Sequence, residues 1–377
     1  MKVLHIAGAF AQHALYRQLV QHISERGVSQ FVFAPVRTRT EADRQPKDSD
    51  ATQYRYRHIL KPFHRVCFGA KIRRIGAALE EDVDTAGFDI VHAHSGYSDG
   101  AVALRLYREH ARPYVVAIRN TDVNYFMRYR PDLRGQFREI LGSASCVVFL
   151  SPAYRDRFLE KLDAGNRDRV EAKSAVIANG IGDTWLESPN RPAADSTSVR
   201  ALYVGDFSRN KNVPSVMSAV EKLRRSSAIG LTLVGGGGND EARVRSMLAD
   251  EKYAFVEYRG RIDDAAVLRD VYREHDLFVM PSYKETFGVV YIEALSQGLP
   301  IVHSAGQGVD GYFQPGSVAE AVDPRDLASI VRGIEALSRR LDSVRAACMA
   351  EAARFDWRRI AAEYAALYDA ATCLPDR

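Results

Sequence analysis

The feature that most constrains the fold of this chain is a buried strand that runs through a short polar loop directly into a helix. The strand is predicted over 276–280 and the helix over 289–297. This order is typical of open α/β sheets, which bind ligands outside the carboxyl ends of their strands. The N–H groups and the positive dipole end of a helix at such a point favour an anion. The stretch therefore predicts an anion-binding site.

Two carboxylates flank this loop. Glu285 precedes the helix and Glu293 lies within it, with seven residues between them. Eight helical steps span about 12 Å. This separation suits an elongated ligand, with one end at each glutamate and a diphosphate over the amides of Phe287, Gly288 and Val289. An isolated pair with this spacing would more often be a solvated surface pair, so the surrounding residues decide between the two interpretations.

The residues around the two carboxylates resemble a known enzyme motif. Residues 281–294 read Pro-Ser-Tyr-Lys-Glu-Thr-Phe-Gly-Val-Val-Tyr-Ile-Glu-Ala, which is similar to the motif of the retaining glycosyltransferases of family 4 (group 1). The resemblance implies the GT-B fold, an α/β fold with two Rossmann-like doubly wound domains facing a central cleft. It also implies that Glu285 lies by the donor sugar and that Glu293 holds the ribose hydroxyls of a nucleotide sugar.

The length of 377 residues also predicts two domains, because single cores rarely grow beyond about 250–300 residues. We expect an N-terminal acceptor-side Rossmann-like domain over 1–182 and a linker over 183–199. A C-terminal nucleotide-sugar-binding domain should follow over 200–354. The resemblance implies that a last helix, over 355–377, crosses back to the N-terminal domain.

Composition excludes several classes of protein. The four cysteines are scattered without a C-x-x-C pair, which favours a reducing compartment and argues against a disulfide framework or a zinc site. We find neither an apolar run of about 18 residues nor a signal-peptide pattern. We therefore expect a cytoplasmic protein, with peripheral attachment to the inner face of the cytoplasmic membrane as a further option.

Candidate residues of the first half lie at predicted strand ends. Gly8 follows the first strand, but the G-x-G-x-x-G fingerprint is absent. The resemblance places the Gly8 turn at the cleft, where it belongs to the donor site. His92 and His94 share one face of their strand, so they are a possible zinc pair, but the neighbouring sequence offers no third ligand. The resemblance makes His94 an active-site residue beside the donor sugar and leaves His92 structural.

The next strand runs into Arg119-Asn120-Thr121-Asp122. The family commonly has His-Gly-Thr-Asp here, so Thr121 and Asp122 match, whereas Arg119 and Asn120 depart. The resemblance places Arg119 and Asp122 on the acceptor side. Arg119 at a strand end either binds an anion on the acceptor or pairs with Asp122.

The second half supplies cations and glycines for a nucleotide. The family has Gly-Arg and then Lys-Gly five residues after the arginine, with both cations on the diphosphate. Lys211 matches the lysine, but Asp206 occupies the arginine position. Charge balance therefore favours Arg209 as the replacement cation. The remaining donor-side candidates are Gly235 and Gly236 in a four-glycine turn, and Arg261, near where the base would lie.

Residues 51–79 contain seven Lys or Arg and neither Asp nor Glu, with Tyr54, Tyr56, Phe63 and Phe68 interleaved. One interpretation is a solvated basic face. The other is contact with an anionic membrane surface or a lipid-diphosphate acceptor. A nucleic-acid partner is not expected, because no recognisable nucleic-acid module accompanies the basic residues.

Together these features predict a retaining, metal-independent hexosyltransferase. Its donor would be UDP- or GDP-linked, and its acceptor a hydroxyl of a glycan or lipid-linked molecule in surface polysaccharide or glycolipid synthesis. Glu285, His94 and Lys211 are the predicted catalytic residues. No cofactor or metal is expected, and Asp82-Val83-Asp84 is interpreted as an acidic surface turn. The alternatives are a GT-B nucleotide-sugar epimerase and a non-catalytic, membrane-associated nucleotide-binding module.

Overall fold

The computed structural model describes residues 1–187 and 198–373. The chain divides into two compact units, called here the N-terminal and C-terminal domains. The N-terminal domain consists of 1–150, 155–178 and the segment from 357 onward, and the C-terminal domain of 151–154 and 179–356. The last helix thus belongs to the N-terminal domain.

The described part of the N-terminal domain contains a seven-stranded parallel sheet in the order β3-β2-β1-β4-β5-β6-β7. Its strands are mostly short apolar runs, as expected for strands buried on both faces. They are β1 (Lys2–Ile6), β2 (Ser29–Val36), β3 (Thr52–His58), β4 (Ile90–Ala93), β5 (Tyr114–Ala117), β6 (Cys146–Phe149) and β7 (Ser174–Val176).

The described part of the C-terminal domain contains a six-stranded parallel sheet in the order β10-β9-β8-β11-β12-β13. β11 is the strand predicted over 276–280. The strands are β8 (Val199–Gly205), β9 (Ile229–Gly235), β10 (Val256–Gly260), β11 (Leu277–Val279), β12 (Ile301–Ser304) and β13 (Ala319–Val322).

Helices connect the strands in both sheets. No helix among the described residues is both long and apolar enough to cross a membrane. In chain order the α-helices are α1 (Ala14–Ser24), α2 (Arg39–Asp43), α3 (Phe68–Asp82), α4 (Ser98–His110), α5 (Met127–Tyr129), α6 (Arg134–Ser143), α7 (Pro152–Leu159), α8 (Ala164–Glu171), α9 (Asp183–Leu186), α10 (Val213–Leu223), α11 (Glu241–Leu248), α12 (Ala265–Arg273), α13 (Val289–Ser296), α14 (Leu327–Ser338), α15 (Leu341–Ala352) and α16 (Trp357–Thr372).

The interpretation of the basic stretch 51–79 as an exposed surface with four interleaved aromatic residues requires a correction, because three of the four are buried. Tyr54 and Tyr56 lie on the inward face of β3 and contact the Phe10 ring. Phe68 is buried at the start of α3. Only Phe63, which is 51% exposed, points to solvent. The alternation of β3 explains the burial of the two tyrosines, because Arg55 and Arg57 take the outward positions next to them.

The predicted linker 183–199 includes 188–197, which lie outside the described residues. Its first part is not a loop, since it forms α9. Trp185 of this helix is buried, and its ring lies 5.4 Å from that of Tyr272. The Nε2 atom of Gln297 also donates a hydrogen bond to the Trp185 carbonyl oxygen. Packing of one large apolar side chain therefore fixes this turn to the C-terminal domain.

Candidate active site

Several loops of the C-terminal domain meet at the carboxyl ends of neighbouring strands. The four-glycine turn after β9 lies against the turn after β8, where the Phe207 N–H donates to the Gly237 carbonyl oxygen at 2.9 Å. A Cβ atom on Gly235 would lie only 1.8 Å from the Gly205 carbonyl oxygen, and Gly235 has φ 135°. Glycine at 235 is therefore required for this close approach.

The turn after β8 is also tied to the loop after β11. The side-chain amide of Asn210 donates to the Lys284 carbonyl oxygen at 2.8 Å, and the Asn210 carbonyl oxygen accepts from the Tyr283 N–H at 2.8 Å. These two bonds hold the segment before Lys211 against the segment before Glu285. Asn210 was not among the residues predicted from the sequence.

Lys211 and Glu285 form an ion pair at the centre of these loops. Nζ of Lys211 lies 2.6 Å from Oε2 of Glu285, and the two side chains are 20% and 14% exposed. A charge-assisted hydrogen bond of this length in a partly desolvated site is among the stronger polar contacts in proteins. The structure therefore brings two predicted catalytic residues together.

Glu285 is further positioned through its backbone. Its N–H donates to the Gln307 side-chain oxygen at 3.1 Å, and its carbonyl oxygen accepts from the Gly308 N–H at 3.0 Å. Both partners belong to the loop after β12, which is the neighbour of β11 in the sheet. Three successive loops thus determine where the Glu285 carboxylate lies.

Asn212 is a second positioning residue that sequence reasoning missed. It is buried and has a left-handed backbone with φ 60°. Its side-chain amide donates to the carbonyl oxygens of Pro281 and Pro324, at 3.1 and 2.8 Å. The family pattern has glycine here, and asparagine is one of the few other residues that adopts this conformation readily. Asn212 therefore retains the turn after Lys211 and adds two contacts that glycine lacks.

Helix α13 begins at the anion position predicted from the sequence. Gly288 precedes it with φ 81°, and a Cβ atom there would lie 2.5 Å from the Tyr291 ring. Among the described residues, the N–H groups of Phe287, Gly288 and Val289 have no hydrogen-bond acceptor. These amides are available to a phosphate at the positive end of the helix.

Glu293 lies one turn further along α13 and is partly buried. Burial raises the pKa of its carboxyl group to about 7, although a hydrogen bond from the Tyr272 hydroxyl opposes this shift. The two oxygens of that bond are 3.4 Å apart. Glu293 is therefore a carboxylate whose charge depends on pH near neutrality.

The remaining donor-side candidates lie at the surface. The side chain of Arg209 is 79% exposed, with its nearest carboxylate, that of Asp240, 4.0 Å away. The Asp206 carboxylate caps its own turn by accepting the Ser208 N–H. Arg261 is 77% exposed and pairs with Asp263 at 2.7 Å. Arg209 is thus free to reorient toward a ligand, whereas no contact within the described part of the chain joins Arg261 to the loops around Lys211.

The predicted residues of the N-terminal domain form a separate group at the ends of β1, β4 and β5. Asp122 is fully buried, and its carboxylate accepts the N–H groups of Gly96, Tyr97 and Arg119 at 2.8–3.0 Å. Burial raises the pKa of this carboxyl group, while the three amides lower it. Asp122 therefore holds these loops together and is not placed to contact an acceptor directly.

Arg119 extends from the end of β5 across the group. Its Nε atom donates to the His94 carbonyl oxygen at 3.2 Å, and its guanidinium lies 5.5 Å from the centre of the Tyr16 ring. Gly8 follows β1, which is the neighbour of β4 in the sheet. Its N–H donates a hydrogen bond to the Asp99 carboxylate at 3.2 Å. Burial raises the pKa of Asp99 to about 7. Sequence reasoning did not select Asp99.

Three histidines lie together on one face of the sheet. His5 is directly opposite His92 in the β1–β4 pairing. His5 Nδ1 and His94 Nε2 are 3.0 Å apart, and His92 Nδ1 is 2.7 Å from the Tyr368 hydroxyl. Burial lowers the pKa of His5 to about 4 and that of both other rings well below the usual range. All three histidines are therefore neutral at pH 7.

His5 is the candidate third metal ligand, which the sequence alone did not reveal. Nitrogen atoms of His5, His92 and His94 lie within 4.8 Å of one another, and such a trio can hold a metal ion. Among the described residues, His92 Nε2 and His94 Nδ1 have no hydrogen-bond partner. The nearby Arg119 guanidinium disfavours a cation here, since it already contributes to the lowered pKa of His94.

Comparison with known proteins identifies the family. Residues 14–184 match the sequence model described as Glycosyltransferase Family 4, and residues 186–354 match the one described as Glycosyl transferases group 1. The chain belongs to the group 1 glycosyltransferases. The group 1 glycosyltransferase family predicted from residues 281–294 is therefore confirmed, and the retaining mechanism stays a prediction.

Individual relatives agree with this assignment. This glycosyltransferase is 26% identical over 344 residues, 83% of each chain, to the teichuronic acid biosynthesis glycosyltransferase TuaC of Bacillus subtilis (strain 168). It is 30% identical over 201 residues to the GDP-mannose:cellobiosyl-diphosphopolyprenol alpha-mannosyltransferase of Komagataeibacter xylinus. That match covers 51% of this chain and 50% of the other.

A solved structure shows the same fold. Sucrose-phosphate synthase from Thermosynechococcus elongatus superimposes with a TM-score of 0.76 at 20% identity, over 98% of each chain. The two parallel sheets of this glycosyltransferase are those of the GT-B fold, so the predicted fold class is confirmed.

Proposed function

We propose that this group 1 glycosyltransferase moves a sugar from a UDP- or GDP-linked donor to a hydroxyl of a glycan or lipid-linked acceptor. Transfer retains the anomeric configuration and needs no metal ion. The Lys211–Glu285 ion pair, beside the unpaired amides at the start of α13, is the observation that carries the proposal.

The cations and amides act on the donor diphosphate. Lys211 and the N–H groups of Phe287, Gly288 and Val289 offset the negative charge that grows on the leaving group. Arg209 adds the second cation, since its exposed side chain reaches solvent beside Lys211 in the same turn.

The carboxylates and glycines position the rest of the donor. Glu285 orients the sugar once a diphosphate takes over Lys211, and Glu293 accepts the ribose hydroxyls. Gly235 and Gly236 permit close approach of the nucleotide to the backbone. Arg261 lies on the side of the base. His94 lies by the sugar, as the family resemblance implies, and its buried Nδ1 atom has no hydrogen-bond partner among the described residues.

The proton of the acceptor hydroxyl passes to the leaving phosphate, as the family resemblance implies. The bond from the anomeric carbon to the diphosphate breaks, and the bond to the acceptor oxygen forms on the same face. Arg119 stabilises the loop on the acceptor side through its bond to the His94 carbonyl oxygen.

The names of the relatives support a setting in surface polysaccharide or glycolipid synthesis. One relative is named for teichuronic acid biosynthesis, and another for a GDP-mannose donor and a diphosphopolyprenol-linked acceptor. We therefore propose a cytoplasmic reaction, with GDP-mannose as the first donor to test.

Donor screening followed by product analysis tests the proposal. Nucleotide sugars are first ranked by the rise in melting temperature, because a ligand that binds only the folded state stabilises it. The best donor is then incubated with acceptors, and the anomeric configuration of the product is read from proton NMR coupling constants. We expect transfer with retention, abolished in Glu285→Gln and unchanged in Lys222→Ala, an exposed lysine on α10.

The alternatives give different results in the same experiment. Isomerisation of the donor sugar without an acceptor would indicate an epimerase. Tight donor binding without hydrolysis or transfer, over a broad acceptor panel, would indicate a non-catalytic module. Inversion at the anomeric carbon would contradict the proposed mechanism while leaving the family assignment intact.

A further inference from the structure

Exposed apolar side chains of the N-terminal domain are concentrated in two segments. Phe63 and Val66 are 51% and 75% exposed, and Tyr125 and Tyr129 are 48% and 58% exposed. These four residues are called here the Phe63–Tyr129 surface. Elsewhere in the described chain, large apolar residues with comparable exposure occur singly, at Met1, Val267 and Leu327.

A buried ring, Phe68, and a half-buried ring, Phe126, join the two segments beneath the Phe63–Tyr129 surface. Phe68 and Phe126 are in edge contact with centroids 6.0 Å apart, and the Arg130 guanidinium lies 6.0 Å from the Phe68 ring. Tyr125 and Tyr129 are themselves 5.9 Å apart. Because Val66 is two residues from Phe68 and Tyr125 is next to Phe126, the two segments are neighbours in the structure.

Not all seven cations of the stretch 51–79 contribute positive charge to this surface. Arg55, Arg57 and Arg74 are in ion pairs with carboxylates of the same domain. Lys71 is directed inward, where its Nζ atom donates to the Ser98 hydroxyl at 2.6 Å. These four residues therefore contribute little to an external partner.

Four other cations remain beside the apolar residues. Lys61 and Arg65 flank Phe63, Arg73 lies on the first turns of α3, and the Arg128 guanidinium is 5.1 Å from the centre of the Tyr129 ring. Among the described residues, none of the four has a carboxylate partner. The exposed carboxylate of Asp132, which follows the second segment, is paired with Arg130.

We propose that the Phe63–Tyr129 surface docks the enzyme on an anionic lipid bilayer. Aromatic rings are favoured at the headgroup level, and cations that pair with no carboxylate of the protein complement lipid phosphates. Each cation near an anionic leaflet contributes about fivefold to binding, and the contribution falls off within a Debye length. Four cations and four partly exposed apolar residues support reversible, peripheral binding. The inference deepens the proposed function, because it places the enzyme where a lipid-linked acceptor is presented.

Vesicle sedimentation tests this docking without any donor or acceptor. The full chain is mixed with vesicles of phosphatidylcholine alone or with one quarter phosphatidylglycerol, at 50 and 500 mM NaCl. We expect sedimentation with the anionic vesicles at low salt, and a large loss at high salt. Because transfer is not measured, this result is independent of whether the proposed reaction occurs.

Matched variants assign the binding to the surface. Lys61→Glu/Arg65→Glu should weaken binding by more than about 25-fold, since two contributions of about fivefold are removed and reversed. Phe63→Ser/Val66→Ser should weaken it at both salt concentrations. Two controls lie in the C-terminal domain. Lys222→Glu/Arg243→Glu changes the net charge by the same amount, and Val267→Ser replaces a similarly exposed apolar residue. They should sediment like the parent.

Three outcomes would overturn the proposal. One is equal binding to both vesicle types, and another is binding that the control variants lose as strongly as the surface variants. The third is the absence of sedimentation with either lipid, which would leave the Phe63–Tyr129 surface to a protein partner. Because Phe63 and Val66 are exposed, the variants should fold, and unchanged melting temperatures verify this.

Discussion

Nζ of Lys211 lies 2.6 Å from Oε2 of Glu285, although 74 positions separate the two residues in the chain. The pair joins the turn after β8 to the loop after β11. Without a ligand, each charge is compensated by the other in a site where neither side chain is more than 20% exposed. A donor diphosphate would compete for the lysine and leave the glutamate to the sugar.

Lys211→Ala should therefore lower turnover more than donor affinity. The charge on the leaving diphosphate grows toward the transition state, so a stabilising cation acts mainly on kcat. We expect a loss of about 100-fold or more, measured as kcat and KM for the best donor. Lys222→Ala is the control. Native turnover in Lys211→Ala would show that the diphosphate lies elsewhere.

Glu293→Ala should weaken donor binding, because the ribose hydroxyls lose a charged acceptor. A hydrogen bond to a charged group contributes about 1.5–3 kcal/mol. Isothermal titration with GDP-mannose and UDP-glucose measures the effect. If Glu293→Ala bound UDP, GDP and their sugars like the parent, the ribose assignment would be wrong.

The raised pKa of Glu293 predicts the sign of the pH dependence. Ribose hydroxyls donate to the ionised carboxylate, so donor binding favours the deprotonated form. Since the pKa is about 7, donor affinity should rise as pH increases through 7. Below that point it should fall by at most about tenfold per pH unit. In Glu293→Gln this dependence should disappear between pH 5.5 and 8, and its persistence there would assign it to another group.

Asn212→Gly should destabilise the C-terminal domain although glycine suits the left-handed backbone. The variant leaves the buried carbonyl oxygens of Pro281 and Pro324 without their donor. We expect a loss of about 1–3 kcal/mol in the free energy of unfolding, measured by urea titration. Asn212→Ala should lose about 1 kcal/mol more, because alanine is strained at φ 60°.

The same two variants test whether Asn212 positions Lys211. A positioning role predicts a lower kcat with a smaller change in KM at temperatures where the variants remain folded. Native stability in Asn212→Gly would show that the two side-chain bonds contribute nothing. Native kcat in a destabilised variant would limit Asn212 to a structural role.

Removal of metal ions should leave transfer intact. We expect EDTA-treated protein to keep its activity and to contain less than one equivalent of metal by mass spectrometry. Loss of activity that Mn²⁺ restores would contradict this. Asp84→Asn and His5→Gln would then distinguish the acidic turn of Asp82 and Asp84 from the cluster of His5, His92 and His94. In the structure the two aspartates have separate roles, since Asp82 pairs with Arg57 and Asp84 caps residues 85–87.

The loop and helix of the candidate donor site were predictable from the sequence, because they are contiguous. Residues 281–294 contain Glu285 in the loop, the glycine that enables the helix start, and Glu293 within the helix. Such local patterns depend on backbone geometry and helix periodicity, which neighbouring residues determine. The same reasoning located β11 and α13 and pointed to the family.

Other contacts depend on strand pairing and were not predictable. His5 joins the histidine cluster only because β1 lies beside β4 in this register. Asn210, Asn212 and Gln307 act on a loop that is distant from them in sequence. Polar residues in turns give no signal of which loop they will contact.

The amino-acid sequence by itself determined the class of fold, the loop and glycine at the start of α13 and the acid-free composition of 51–79. Tertiary structure alone decided which of those cations are free, and it directed Tyr54, Tyr56 and Phe68 inward. It also paired Lys211 with Glu285. The physical reason is that helix periodicity and turn chemistry act over a few residues, whereas burial and charge pairing depend on which strands become neighbours in the sheet.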